Sequence, residues 1–137
     1  MTTSRLNPYL SFKSNAREAM EFYKTVFGGE LTLSEFGEMA HSPDEKTRIM
    51  HGQLVGPNGY WLMGSDTPAS MGEPGANGTV SLSGDDEATL KGYWDKLSAG
   101  GTVTMPLEKA PWGDSFGMLT DKFGVSWMVN IGAATGA

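Results

Sequence analysis

The chain has 137 residues, 39% of them hydrophobic and 19% charged, with a net charge of −6 and no cysteine. That length buries one ordinary core, or two small modules that share one, and the balance is that of a globular protein, not a disordered one. The acidic charge without a basic cluster argues against nucleic acid and anionic membranes, and the missing cysteines exclude disulfides, thiolate zinc sites and cysteine nucleophiles.

The first residues, Met1 to Pro8, lack the apolar stretch of a signal peptide, and no apolar run approaches membrane-spanning length. A cytoplasmic location with no membrane partner is the expectation. Asn7 to Phe12 then reads as a short strand, with Pro8 suiting an edge or a first position. Asn15 is placed to cap a helix and Glu18 to reach back as in a capping box. Ala16, Ala19, Met20, Tyr23, Val26 and Phe27 recur at helical spacing, and Gly28-Gly29 stops the helix. Glu30 to Phe36 alternates as a strand. Gly37 to Thr47, which contains His41, reads as a mobile polar loop. Arg48 to Val55 alternates again, and Pro57-Asn58-Gly59 turns the chain into Tyr60 to Gly64. From about residue 66 to 78 the chain is rich in Pro, Gly and Ser and reads as a linker.

The order then repeats. Thr79 to Ser83 is a strand, Asp85 or Asp86 caps a helix whose Leu90, Tyr93, Trp94 and Leu97 share a face, and Gly100-Gly101 ends it. Thr102 to Met105, Ser115 to Thr120 and Val125 to Ile131 supply three more strands, the last two joined by a turn at Gly124. An offset of about 71 residues superposes Asn15 on Asp86, Phe22-Tyr23 on Tyr93-Trp94 and Val26 on Leu97, the mark of an internal repeat. The expected fold is α+β: one domain over residues 1–137, made of two βαβββ modules (about 6–65 and 79–132). One helix shields one face of a sheet only. The other faces are therefore expected to form a barrel-like curved sheet around a concave pocket, with the binding residues on strands.

The segments Pro8-Tyr9-Leu10-Ser11-Phe12, Asn15-Ala16-Arg17-Glu18-Ala19, Phe22 to Gly29, His51 on the third strand, and Trp112-Gly113-Asp114 through Trp127 resemble, in combination, the vicinal oxygen chelate superfamily of glyoxalases, bleomycin-resistance proteins and extradiol dioxygenases, and within it the PhnB-like branch. The resemblance covers nearly the whole chain and implies a homodimer. Some members of that branch carry a ubiquinone-pathway methyltransferase label, but no glycine-rich strand-to-helix turn suited to a methyl-donor nucleotide is present. Metal-binding members place His and Glu ligands on the first and last strand of each module. Those positions fall here near Pro8, near Leu62 or Met63, on Thr79 and on Met128. None is a ligand for a hard or borderline divalent cation, so no metal and no cofactor are expected.

Strand alternation puts Ile49, His51, Gln53 and Val55 on one face of the third strand, and Met128 and Asn130 on one face of the last. If Met50, Leu54 and Trp127 pack under the helices, then His51, Gln53, Met128 and Asn130 line the pocket. An imidazole there can serve as general acid or base, or sit in a hydrogen-bond network with no chemistry. Trp112 and Asp114 suggest a lip, with an indole to cover a ligand and a carboxylate to accept from a donor or act as a base; a structural plug and turn is the competing reading. Trp61 and Phe116 also line the pocket, or pack in the core. The leading expectation is a small-molecule-binding protein without the usual metal site, with His51 and Asp114 as catalytic candidates and Gln53, Trp61, Trp112, Phe116, Met128 and Asn130 as ligand contacts, which sequesters its ligand or transforms it by proton transfer. The alternative is a metal-dependent enzyme of glyoxalase or isomerase type, using His51 with Glu35 or Asp114.

Overall fold

The computed structural model describes residues 6–132 except 41, 69, 71, 74 and 76. The chain divides into two compact units, Met1–Asn77 and Gly78–Ala137. Each is a βαβββ module with a four-stranded mixed sheet and one helix, so the α+β class expected from the repeat is the one observed. Hydrogen bonding closes neither sheet into a barrel, because each keeps two edge strands.

In the first unit β1 (Tyr9–Phe12), α1 (Ala16–Phe27), β2 (Glu30–Glu35), β3 (Ile49–Val55) and β4 (Trp61–Asp66) follow one another, and the sheet order is β1-β4-β3-β2. β1 runs parallel to β4, and the other pairs are antiparallel. All six apolar positions read from the helical spacing of α1 are buried, and the helix lies against β2, β3 and β4, with Leu10, Phe12, Ile49, Leu54 and Leu62 buried in the same unit. Fully burying a large apolar side chain contributes roughly 1.5–3 kcal/mol, so this layer is the main source of the unit's stability. Gly52 and Gly64 pair across β3 and β4 beneath the helix, and a Cβ on either would lie 3.3 or 3.2 Å from the Met20 side chain. Their smallness lets α1 sit close to the sheet. At the helix end Gly29 has φ 92°, and a Cβ there would collide with the Val55 carbonyl oxygen, so glycine is required twice over.

The start of α1 departs from expectation. Asn15 occupies the capping position, but its side chain makes no capping bond. The cap comes from the far end of the module: Asp66 Oδ1 accepts the Ala16 N–H at 2.9 Å, and its Oδ2 accepts the Ile49 N–H at 2.8 Å. Asp66, expected to open the linker, is the last residue of β4 and is 3% exposed. Within the segment that follows, Asn77 accepts from the Ser11 N–H at 2.7 Å and donates to the Ser11 carbonyl at 3.1 Å. It thereby satisfies part of the free edge of β1.

A second departure is a bulge. The register of β2 on β3 shifts so that Ser34 faces His51 while Glu35 faces Ile49, leaving Met50 over. Simple alternation puts Ile49 on the face of His51; the extra residue moves it to the helix side, where it is fully buried. The polar stretch from Gly37 to Thr47 holds two 3-10 turns, Gly37–Met39 and Pro43–Glu45. It is closed by Phe36 N–H to Arg48 O and Gly37 N–H to Lys46 O, both 3.0 Å. His41 lies outside the described residues.

In the second unit β5 (Thr79–Gly84), α2 (Glu87–Ser98), β6 (Thr102–Lys109), β7 (Ser115–Thr120) and β8 (Ser126–Ile131) repeat the scheme, with order β5-β8-β7-β6. Leu90, Tyr93, Trp94 and Leu97 are buried and meet the sheet side that carries Leu82, Leu119, Trp127, Val129 and Ile131. β6 runs past Pro106, where the sequence suggested a stop. It is an edge strand with two register shifts, and both features tolerate a missing N–H. Asp121 is 3% exposed and holds the β7–β8 turn: Oδ1 accepts from the Phe123 and Val125 N–H groups at 2.8 and 3.1 Å, and Oδ2 from the Trp127 indole at 2.9 Å.

Both helices have twelve residues, yet they are capped differently. Asp86 accepts from the Thr89 N–H at 3.3 Å and from its hydroxyl at 2.8 Å. Asp86→Ala is therefore expected to lower stability by about 1 kcal/mol. Asn15→Ala, which removes no capping bond, is expected to stay within about 0.5 kcal/mol. Urea unfolding of the two variants checks the contrast.

Candidate functional site

Each sheet carries its helix on one side, so the candidate residues are those on the other. In the first unit that side bears Tyr9 and Ser11 from β1, Trp61, Met63 and Ser65 from β4, His51, Gln53 and Val55 from β3, and Thr32 and Ser34 from β2. This follows from the ladder, in which Tyr9 and Gln53 both lie across from Met63, Gln53 from Thr32, Val55 from Trp61 and His51 from Ser34. His51, Gln53 and Trp61 thus share the helix-free face, each half-buried. The sequence reading missed Tyr9, whose hydroxyl lies 3.1 Å from His51 Nδ1 and whose ring centroid is 5.7 Å from that of the imidazole. The bond reaches across β4 between two strands that do not pair, so no local pattern announces it. Tyr60, by contrast, makes an edge contact with Phe27 at 6.1 Å, at the end of α1.

In the second unit the helix-free face is ordered by rows. Ser83, Asn130, Phe116 and Glu108 form one; Ser81, Met128, Met118 and Met105 form the next; Thr79, Ser126, Thr120 and Thr102 form the third. Phe116, Met128 and Asn130 therefore lie together, as the alternation required. Asp114 joins them from the β6–β7 connection: its Oδ2 accepts from Asn130 Nδ2 at 3.0 Å. The Ala110 N–H to Asp114 O bond at 2.6 Å closes that connection, and Gly113 at φ 104° makes its turn. Trp112 stands 63% exposed and meets Phe116 edge-on at 5.8 Å. It is a projecting side chain. The Met105–Met118–Met128 row was invisible in the sequence, because Met105 enters it only through the bulged register of β6. Thioethers are polarisable and conformationally adaptable, which suits contact with ligands of varied shape.

The matched family model is the Glyoxalase/Bleomycin resistance protein/Dioxygenase superfamily, over residues 5–129. The chain belongs to that superfamily. It is 33% identical to protein YjdN of Escherichia coli, a match that covers 92% of this chain and 94% of that one. Among solved structures it is similar to protein PA1353 of Pseudomonas aeruginosa, with 39% identity, a TM-score of 0.83, and 96% and 99% of the two chains covered. A PhnB protein from Bacillus cereus is similar as well, with 26% identity, a TM-score of 0.74, and 93% and 99% covered.

Members of this superfamily that bind metal do so with imidazole and carboxylate ligands, and the donor set here does not fit one. Leu62 faces the helix and is 6% exposed; Met63 and Met128 offer thioethers; Pro8 and Thr79 offer no imidazole or carboxylate. Among the described residues no group of three or more His, Cys, Asp or Glu is placed to hold a metal ion. Glu35, one of the two carboxylates that the metal-dependent alternative pairs with His51, lies across from Ile49 and accepts from Arg17 Nη2 at 2.6 Å. Among the described residues no helix is long and apolar enough to cross a membrane.

Proposed function

We propose that this chain is a small-molecule-binding member of its superfamily that works without the metal site of its metal-dependent relatives and acts as a homodimer, whose mass light scattering reads directly. The observation that carries the reading is the content of the helix-free faces. Each mixes apolar contact surface with an oriented polar pair, Tyr9–His51 beside Gln53 and Trp61 in one unit and Asp114–Asn130 beside Phe116 and Met128 in the other. Ligand sites combine apolar lining with a few placed polar groups, and both faces have that make-up. His51 and Asp114 are the groups that would exchange a proton with a ligand if it is transformed and not only held.

A thermal-shift screen of small molecules, run on chelator-treated protein, tests the reading. A ligand specific to the folded chain raises its melting temperature by mass action. We expect hits whose shifts survive chelation and shrink by more than half in His51→Ala or in Asn130→Ala. Stabilisation that disappears with chelator and returns with a divalent cation would favour the metal-dependent alternative.

A further inference from the structure

Resting on the binding role assigned above to this face, we infer that His51 presents a proton and not a lone pair: Tyr9 occupies Nδ1, so that Nε2–H is the group offered to a ligand, and the ligand carries an acceptor oxygen, as in a carbonyl group, at that point. A neutral imidazole has one donor and one acceptor nitrogen, and the partner of one decides the role of the other. The partner of Nδ1 is the Tyr9 hydroxyl at 3.1 Å. A phenol is a better donor than acceptor, because its oxygen lone pair is drawn into the ring while its O–H is polarised. Its O–H therefore points to Nδ1, which is also the nitrogen that lacks a proton in the intrinsically favoured neutral tautomer. The proton remains on Nε2.

The surroundings agree in character. Ser34 lies across from His51, Gln53 follows it on the same face, and Thr32 lies across from Gln53. These are uncharged groups able to donate, and no lysine or arginine stands among them, so the face matches a neutral acceptor better than a phosphate. Tyr9 is a positioning residue here: it is 48% exposed and acts through the ring it holds.

The test is nitrogen-15 NMR of histidine-labelled, ligand-free protein at mildly alkaline pH. The chain has two histidines, and His41→Gln assigns the other. The expected spectrum shows His51 Nδ1 at the downfield position of an unprotonated ring nitrogen and Nε2 at the upfield position of a protonated one. In Tyr9→Phe, Nδ1 moves further downfield as its hydrogen bond is lost, while Nε2 stays. A protonated Nδ1 in the native protein, or a Tyr9→Phe variant with the same Nδ1 shift and an otherwise native spectrum, overturns the inference. Because no ligand is present, the tautomer stands or falls independently of whether the binding role does.

Discussion

Replacing Asp66 by alanine is expected to lower the stability of the protein by about 4 kcal/mol, since a buried donor left without its acceptor costs roughly 1–3 kcal/mol and this change strands two. The carboxylate is 3% exposed, and it joins the first turn of α1 to the first residue of β3 through the Ala16 and Ile49 N–H groups. Ala16 begins a helix, where an N–H has no intrahelical acceptor, and Ile49 lies beside the bulge of the β2–β3 ladder. Asp66→Asn keeps one acceptor oxygen and turns an NH2 toward the other donor, so a loss of about half that size or more is expected. Urea unfolding of the pair measures both. A loss below about 1 kcal/mol in the alanine variant would show that water or a local shift replaces the carboxylate.

Asp121→Ala is expected to cost about as much, roughly 4 kcal/mol, because of the three donors it deprives of an acceptor two are buried and one is only partly buried. The three are the Phe123 and Val125 N–H groups and the indole of Trp127, a side chain only 1% exposed. Asp121 thereby sets the turn that aligns β7 with β8, and with it the register that brings Phe116 across from Asn130 and Met118 across from Met128. The loss should accordingly reach beyond stability. We expect the indole N–H resonance of Trp127 to move strongly in a variant that still folds, with amide shifts along Phe116, Met128 and Asn130. Changes confined to the turn would separate the turn from the site.

The repeat explains why so much of the fold could be read from the chain. Helical spacing named all the buried positions of α1 and α2, and period-two alternation placed His51, Gln53, Met128 and Asn130 on helix-free faces. Local periodicity reports which way a side chain points relative to its own strand. It says nothing of partners far along the chain. That is why Asp66 reads as linker although it caps a helix fifty residues earlier, and why Asn15 reads as a cap although its side chain makes no capping bond. Bulges defeated the alternation for the same reason: the extra residue at Met50 and the shifts along β6 are properties of a strand pair, not of either strand. Tyr9 belongs with these, since its bond to His51 crosses an intervening strand. Sequence therefore located the candidate surface, and the structure supplied the contacts that tune it.

We propose that ligands bind on the helix-free faces. The most direct measurement is amide NMR mapping of small-molecule fragments on the isotopically labelled, chelator-treated protein. Binding fragments are expected to perturb residues such as His51, Gln53, Trp61, Phe116, Met128 and Asn130, and to leave the solvent-facing residues of α1 and α2 unmoved. Fragments that cluster instead on the helices, or that perturb the helix-free faces only after a divalent cation is added, would contradict it.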